Sequence, residues 1–456
     1  MKDFVAKRSR PAIRVGVGLS LLAFGAPLVG TASAAHIACG TTITANTTLH
    51  SNIGPCSGDG IIVGANNITL NLNGHEIFGT DGDGGGNQAG IRVPFKSGVS
   101  IVGKRRPAQS AGTIRGFDAG VFVNGGSGNT IKNLVVRDNI GPLTSEAFLG
   151  DGIVLFKSAD NQIVDNIVRN NGRYNGIGVL GLGANNNTIR GNIVEDNVGI
   201  SEAESPPVGP GFIPHYINAP GHGIIVNHFL DQPIGTSEAI YGNKVMNNTV
   251  RLNDGSGIST VANIDGIITG NVVEDNSPQY YGDIFRLFGD FPPSSVVGIG
   301  VTTGSDLELD QVPHNVLVRD NVVKRNGLVG ILIRAADNTV QNNQVFDNGL
   351  EGISVYEVNP GNSIQFNSTG GNLLWDLVDY NYNPNCAGNR WWGNTWSDEL
   401  GALAIEFGFD APYYPECVTD GPSGKGPKVS SAARNDLPPA VSQQQPTTNR
   451  GLSGRS

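Results

Sequence analysis

The feature that most constrains the fold of this chain is a two-part repeat that alternates seven times. The first part reads Asn-x-Val and begins at Asn133, Asn166, Asn192, Asn248, Asn271, Asn321 and Asn343. The second part reads x-Gly-Ile and begins at Asp151, Asn175, His222, Ser256, Val297, Val329 and Glu351. Between Asn321 and Asn343 the period is 22 residues, and a fixed period of this size indicates a solenoid.

Each half-repeat has the periodicity of a β-strand. Apolar residues occupy every second position, as in Gly330 to Arg334, and Asn, Gly and Asp bound the runs as turn residues. A coil of 22 residues holds about three short strands at roughly 3.3 Å per residue. We therefore predict an all-β fold, a right-handed parallel β-helix, with Ile and Val on the axis and Asn side chains in internal ladders at equivalent turns.

The repeats resemble those of the pectin-lyase-like superfamily, in particular its right-handed β-helix repeat group, over roughly residues 39–370. The runs that carry the resemblance are Asn338 to Val355, Asn187 to Asn197, and the first-coil stretch Ile68 to Ile77. The resemblance implies the β-helix fold. For function it implies a range from polysaccharide lyases, glycoside hydrolases and sugar-polymer epimerases to non-catalytic surface proteins.

The ends of the chain differ in composition from the repeat region. Residues 1–35 combine a basic start, an apolar stretch from Val15 to Val29 and small residues up to Ala35, which is typical of a secretory signal peptide. We predict the β-helix over 36–380, a C-terminal cap over 381–420, and a disordered tail over 421–456, rich in Gly, Ser, Pro and Gln. The protein is predicted to be secreted, with no membrane contact once the signal is removed.

Four cysteines form two local pairs, Cys39 with Cys56 and Cys386 with Cys417. In an exported protein these pairs predict two disulfides that staple the two ends of the solenoid. The spacing lacks a Cys-x-x-Cys element, so no metal site is predicted from the cysteines. The adjacent Trp391 and Trp392 are predicted to plug the open end of the core rather than to stack on sugars.

The net charge of −10 becomes −14 without the signal, because five basic residues (Lys2, Lys7, Arg8, Arg10, Arg14) and one acidic residue (Asp3) leave: −10 − 5 + 1 = −14. This charge argues against nucleic acid and anionic lipid as partners. It favours a neutral glycan over a long polyanion, although a basic groove can lie on an acidic protein. We predict no cofactor, with Ca²⁺ as the one alternative, because acidic, Asn-rich exteriors can bind it. We expect a monomer that binds an extracellular polysaccharide.

The residues that begin each x-Gly-Ile run are predicted to form one stack, at about 4.8 Å per coil. Four polar residues, Asp151, Asn175, His222 and Ser256, are followed by apolar ones. Asp151 and His222 would then lie two coils, or roughly 10 Å, apart. Three long connections, 138–150, 198–220 and 277–296, leave the same corner of alternate coils. We expect them to wall a groove over this stack, since function concentrates in loops on a rigid scaffold.

Chemistry-bearing residues gather around His222. We predict His222, Asp151, Tyr216 and Arg173 as catalytic residues. The predicted substrate-binding residues are Asn175, Tyr174, His215 and His228. A uronate lyase or epimerase needs an Arg to neutralise the carboxylate, a His or Tyr to remove the C5 proton, and a Tyr to donate to the leaving oxygen. The alternative is that these polar side chains only satisfy turn backbone.

The sequence therefore predicts a secreted carbohydrate-active β-helix protein, with polysaccharide lyase as the first choice. One alternative is a non-catalytic glycan-binding or cell-surface scaffold. Another is a glycoside hydrolase, because Gly221-His222-Gly223 resembles an element of the polygalacturonase family. That family adds an Asp-Asp pair one coil earlier and an Arg-Ile-Lys motif later. This chain has Arg173-Tyr174-Asn175 in the earlier coil and lacks both motifs.

Overall fold

The structure is a computed structural model, which describes residues 37–80, 88–104, 111–141, 151–199, 221–227, 239–283, 296–303, 314–356, 360–381 and 386–396. These residues form three long parallel sheets of 12 strands each. Every coil gives one strand to each sheet in the order A, B, C, so each strand pairs with its equivalents in the previous and next coils. This is the predicted parallel β-helix, and the described residues include no α-helix.

The strands are short and their bounds follow the repeat. Sheet A comprises Thr41–Ile43, Ile61–Val63, Ala89–Pro94, Ala119–Asn124, Ile153–Phe156, Asn175–Leu180, His222–Asn227, Ile258–Val261, Val297–Thr302, Val329–Arg334, Glu351–Val355 and Trp375–Asp379. Sheet B comprises Thr47–Thr48, Thr69–Asn71, Ser100–Val102, Thr130–Lys132, Gln162–Val164, Thr188–Arg190, Lys244–Met246, Ile267–Thr269, Leu317–Arg319, Thr339–Gln341, Ser363–Gln365 and Arg390–Trp392. Sheet C comprises Ile53–Cys56, Glu76–Gly79, Gly112–Arg115, Leu134–Arg137, Ile167–Arg169, Ile193–Glu195, Thr249–Arg251, Val272–Glu274, Val322–Lys324, Gln344–Phe346, Ser368–Gly370 and Thr395–Trp396.

Three small elements lie outside the large sheets. Ile240–Tyr241 and Asn263–Ile264 form a two-stranded parallel sheet. Pro278–Tyr280 and Cys386–Gly388 are 3₁₀-helical turns.

The core is a column of Ile and Val side chains that repeats with every coil. In sheet A the residues after the x-Gly pair are in register from coil to coil, and all are fully buried: Ile153, Ile177, Ile224, Ile258, Ile299, Ile331 and Ile353. Alternate residues of each strand point away from the axis, as the two-residue period requires. The outer faces of the sheets are therefore where polar chemistry can gather.

Asparagine ladders stabilise the turns, as predicted. Asn166 Nδ2 donates to Asn192 Oδ1 at 3.0 Å, and Asn192 donates in the same way to Asn248. The backbone N–H of Asn166 donates to the same Asn192 oxygen at 2.9 Å. A second ladder, missed by the sequence analysis, runs along the corner between sheets C and A, from Asn139 to Asn372. These buried amides satisfy backbone groups that the turns would otherwise leave unpaired.

The described ends of the solenoid can be compared with the predicted disulfides and domain limits. The Cys39–Cys56 disulfide is confirmed, with a Cα–Cα distance of 5.5 Å. Cys386 is also disulfide-bonded, while its predicted partner Cys417 lies outside the described residues. The predicted end of the β-helix at residue 380 is wrong, because Arg390–Trp392 and Thr395–Trp396 form the last strands of sheets B and C.

Only one of the two adjacent tryptophans plugs the core as predicted. Trp391 is only 3% exposed and lies in the hydrophobic core, as predicted, whereas Trp392 is 40% exposed. The predicted signal peptide, 1–35, and the tail, 421–456, lie outside the described residues. In the described part of the chain, no helix is long and apolar enough to cross a membrane.

Candidate active site on the outer face of sheet A

The predicted stack of polar residues is confirmed by the register of sheet A. Asn175 pairs directly with His222, and the neighbouring pairs Ile153 with Ile177 and Ile224 with Ile258 place Asp151 and Ser256 in the same column. Asp151 and His222 are therefore two coils apart, as predicted. The column continues through Val297, Val329 and Glu351 to Trp375, which the motif search missed because no Gly-Ile follows it.

Most of the polar side chains in this column accept a backbone hydrogen bond from the following coil. Asp151 Oδ1 accepts from the Asn175 N–H at 2.6 Å and from Asn175 Nδ2 at 3.0 Å. His222 Nδ1 accepts from the Ser256 N–H at 3.1 Å, and Ser256 Oγ accepts from the Val297 N–H at 3.1 Å. The alternative drawn from the sequence was that these side chains only form hydrogen bonds with backbone groups at turns. That alternative accounts for part of their hydrogen bonding.

Asp151 has chemistry beyond this backbone contact. Its side chain is 1% exposed, and its second oxygen, Oδ2, has no hydrogen-bond partner among the described residues. Burial raises the Asp151 pKa from 3.8 to about 8, against the lowering effect of the two Asn175 contacts. Oδ2 lies over Gly178, where an added Cβ would come within 2.6 Å of it. A buried carboxyl without a counter-ion is a candidate for proton transfer.

His222 is less suited to proton transfer than predicted. It is 6% exposed, and burial lowers its pKa from 6.5 to about 4. Because Nδ1 accepts the Ser256 N–H, the neutral ring carries its proton on Nε2. At neutral pH His222 can therefore donate a hydrogen bond but has no free nitrogen lone pair to act as a base.

Arg173 and Tyr174 flank the column and are only half-buried. Arg173 Nη1 donates to the Gly141 carbonyl at 3.3 Å, in the coil before Asp151. Burial raises the pKa of the Tyr174 phenol; the nearby Asp151 charge raises it further, and the Arg173 charge lowers it. Tyr174 therefore lies within electrostatic range of both Asp151 and Arg173, and Arg173 and Tyr174 are reachable from solvent.

Several predicted site residues lie outside the described residues, namely Tyr216, His215 and His228. The three long connections do leave one corner, between sheets C and A, as predicted. Of the third, residues 277–283 are described, and Tyr281 Oη donates to the Asp347 carbonyl at 2.9 Å. Gln279 Nε2 also donates to the Asp254 carbonyl at 2.7 Å, two residues before Ser256, so this connection reaches the stack. The rest of it lies outside the described residues, and the groove stays a prediction.

The C-terminal half of the same face holds a buried acid that the sequence analysis treated only as a stack member. Glu351 is fully buried, and burial raises its pKa from 4.5 to about 7. It accepts hydrogen bonds from Ser354 and Tyr380. Around it Val329, Leu350 and Trp375 form an apolar cluster on the outer side of sheet A. Unlike Asp151, this carboxyl has two hydroxyl donors, which indicates a structural role.

No group of three or more His, Cys, Asp or Glu that could hold a metal is found among the described residues. Calcium binding, expected from the acidic surface, stays a prediction.

Comparisons with known proteins identify the fold. Residues 33–206 match the family model described as right-handed β-helix region. A search of curated sequences finds no match.

Similar solved structures include the A-module of mannuronan C-5 epimerase AlgE6 from Azotobacter vinelandii, at 16% identity over 79% of this chain and 78% of that chain, TM-score 0.40. They also include an alginate lyase from Paenibacillus sp. str. FPU-7, at 14% identity over 75% and 97%, TM-score 0.39. A third is pectate lyase Pel9A, at 14% identity over 75% and 78%, TM-score 0.41. The family match and the three parallel sheets make the chain a right-handed parallel β-helix protein.

Proposed function

We propose that this protein is a secreted enzyme that cleaves an extracellular polysaccharide by β-elimination at a uronate. The observation that carries the proposal is the buried carboxyl of Asp151, which has no counter-ion among the described residues and lies within electrostatic range of Tyr174, which is itself affected by the Arg173 charge. The Cys39–Cys56 disulfide supports an oxidising destination outside the cytoplasm.

The proposed roles follow from the state of each group. Arg173 neutralises the uronate carboxylate, which acidifies the C5 proton. Asp151, once ionised, takes that proton, and the electron pair forms the C4–C5 double bond as the C4–O bond breaks. Tyr174, whose raised pKa keeps it protonated, donates its proton to the leaving oxygen. His222 is reassigned from base to a positioning residue, because its Nδ1 is already occupied.

The test is a panel of uronate polymers assayed for ultraviolet absorbance of unsaturated ends, with a reducing-end assay beside it. We expect Asp151→Asn to lower turnover by about 10² or more, the size of an acid–base contribution. Asn keeps an oxygen for the Asn175 N–H, so the fold should persist. The matched control is Asp59→Asn, which changes an Asp at the equivalent position of sheet A that already pairs with Arg92.

The pH dependence separates the role of Asp151 as base from a role as acid. Because burial raises its pKa to about 8, kcat/KM should increase up to about pH 8 and then level off if the carboxylate is the base. A rate that falls through the same range would reverse the assignments of Asp151 and Tyr174. Reducing ends without unsaturated ends would instead indicate a hydrolase.

A second candidate function is a non-catalytic glycan-binding scaffold. It is favoured by the burial of His222 and by its hydrogen bond to the Ser256 N–H. Because of that bond, His222→Ala should lower stability by about 1–3 kcal/mol by leaving a buried N–H unpaired. Polymer binding with no product in either assay would select the scaffold.

A further inference from the structure

The outer faces of sheets B and C carry their charges in different ways. In sheet C, acids and bases pair between coils, as in Arg115 with Glu76 and Arg251 with Glu195. The described strands of sheet B contain no Asp or Glu, and their outward positions include five cations: Lys132, Arg190, Lys244, Arg319 and Arg390. Arg319 pairs with Asp320 in the following turn, and the other four make no ion pair with described residues. A strip of cations therefore runs along the strands of sheet B on a chain whose net charge is −10, while exposed aspartates lie in the turns beside it, at Asp160, Asp165, Asp265 and Asp337.

This strip ends in an exposed aromatic pair. Phe366 and Trp392 are 50% and 40% exposed, with ring centroids 4.3 Å apart at an angle of 67°. Trp392 points outward because its neighbour Trp391 enters the core, and Arg390 shares its face. Because the rings meet edge to face, a sugar can stack on the face of one ring while the other ring borders it, and the nearby hydrogen-bonding groups supply polar surroundings.

The backbone at Phe366 sets this aromatic apart from its equivalents in the other coils. The residue directly after the sheet B strand has positive φ in nine described coils: Asn133, Asp165, Gly191, Asn247, Gly270, Asp320, Asn342, Phe366 and Gly393. Eight are Asn, Asp or Gly, the residues that tolerate this conformation. Phe366, at φ 54°, is the exception at this turn, although Phe95, Lys157, Leu252 and Arg325 also have positive φ at other turns. An exposed aromatic thus stands where the other coils have a small or polar turn residue.

Polar groups continue from the aromatic pair along the same column. Gln341, Gln365 and Trp392 are in register on successive coils, and Gln365 Nε2 donates to Gln341 Oε1 at 3.1 Å. Each amide keeps further donors or acceptors for sugar hydroxyls. Arg390 lies two residues before Trp392 on one strand, roughly 7 Å away, close enough for a carboxylate on the stacked ring.

We propose that the outer face of sheet B binds a linear acidic polysaccharide, with one sugar packed against the rings of Trp392 and Phe366 and its carboxylate on Arg390. The density of charge favours a polyuronate over a nucleic acid. Five cations spread over eight coil intervals, or about 38 Å, whereas a duplex carries one phosphate per ~1.7 Å of axis. The site lies on a different sheet from Asp151 and does not depend on catalysis there.

The test measures binding of full-length protein to polygalacturonate and alginate, with a neutral β-glucan and single-stranded DNA as comparison ligands. We expect Trp392→Ala to weaken polyuronate binding by about tenfold or more, since exposed aromatic anchors dominate such contacts. Arg390→Gln should reduce both the affinity and its salt dependence. Polyuronate should bind more tightly than either comparison ligand.

Phe366→Asn provides a sharper variant, because Asn tolerates positive φ and should leave the melting temperature unchanged or higher while binding falls. Phe95→Asn is its matched control: Phe95 is 72% exposed and also has positive φ, at 51°, but lies after sheet A. It should bind as the wild type does. Unchanged binding in Trp392→Ala, equal binding of DNA, or equal loss in Phe95→Asn would overturn the proposal. Binding lost in Trp392→Ala by a protein without lyase activity would support this site and refute only the proposed enzyme.

Discussion

Asp59 and Asp151 occupy equivalent positions in two coils of sheet A, yet their surroundings are opposite. Each carboxylate uses one oxygen to accept the backbone N–H of the next coil, from Ala89 at 2.8 Å and from Asn175 at 2.6 Å. Asp59 also pairs with Arg92, whose Nε lies 2.6 Å from Oδ2. The Oδ2 atom of Asp151 is buried and has no partner within the described ranges.

The difference arises from one position in the following strand. Four residues are in register on successive coils: Arg92, Phe122, Val154 and Gly178. Gly178 therefore occupies the same position relative to Asp151 that Arg92 occupies relative to Asp59. Where the strand supplies a guanidinium, the aspartate is part of a structural ion pair. Where it supplies a glycine, the carboxyl has no counter-ion in the described part of the chain, and its burial raises the pKa to about 8. The same repeat position thus serves structure in one coil and a candidate reactive group in another.

The largest expected effect is on the pH dependence of stability. The folded pKa of Asp151, about 8, exceeds the ordinary 3.8, so between those values the folded state holds a proton that the unfolded state has lost. Stability must therefore fall as pH rises through this window and level off above pH 8. At about 1.4 kcal/mol per pH unit, the contribution between pH 5 and 8 is on the order of 4 kcal/mol.

Asp151→Asn should remove this contribution. Urea unfolding of wild type and variant at pH 5 and pH 8.5 measures it, and the difference between the two proteins isolates Asp151 from Glu351 and His222, which also titrate in this range. Asp59→Asn is the control: it leaves Asp151 intact and should retain the fall. Parallel pH profiles for wild type and Asp151→Asn would show that the carboxyl of Asp151 ionises normally.

An intermediate effect is expected at Gly178. A Cβ there would lie 2.6 Å from Asp151 Oδ2 and 3.2 Å from Leu180 Cδ1, so Gly178→Ala should destabilise the protein by about 1–3 kcal/mol. If the added Cβ clashes mainly with the Asp151 carboxylate, the loss of stability caused by Gly178→Ala should be smaller by about 1 kcal/mol or more in an Asp151→Ala background. Melting of the four proteins gives this coupling. Equal losses in both backgrounds would place the obstacle at Leu180 or the backbone instead.

The repeat architecture could be predicted from sequence because each coil shows the pattern within a short stretch of residues. Apolar residues at every second position define the strands, and the Asn that precedes each Val occupies a ladder, as at Asn166 and Asn192. The stack of Asp151, Asn175 and His222 followed from the Gly-Ile that comes after each of them. These features need only the period and no knowledge of contacts between distant side chains.

What the sequence could not supply was the partner of each polar side chain. The absence of a counter-ion at Asp151 depends on Gly178 in the next coil, and a glycine within a strand gives no sign of this in the sequence. Asp59 was overlooked because no Asn-x-Val run precedes its Gly-Ile pair. His222 was expected to face outward as a base, but its Nδ1 accepts the Ser256 N–H, which only the register reveals.

The smallest expected effect is at the ion pair itself. Arg92→Gln removes the guanidinium from Asp59, but the two side chains are 22% and 17% exposed and water can partly replace the lost contact. We therefore expect a loss of about 1 kcal/mol or less, diminishing further at high salt. Thermal melting at low and high ionic strength measures it, with Arg169→Gln, on the outer face of sheet C, as a control for loss of a surface charge. A loss above about 3 kcal/mol would mean that Asp59, stripped of Arg92, is as isolated from solvent as Asp151. In that case the difference between Asp59 and Asp151 would come from the Arg92 guanidinium alone, and the two carboxyl groups would be equally buried.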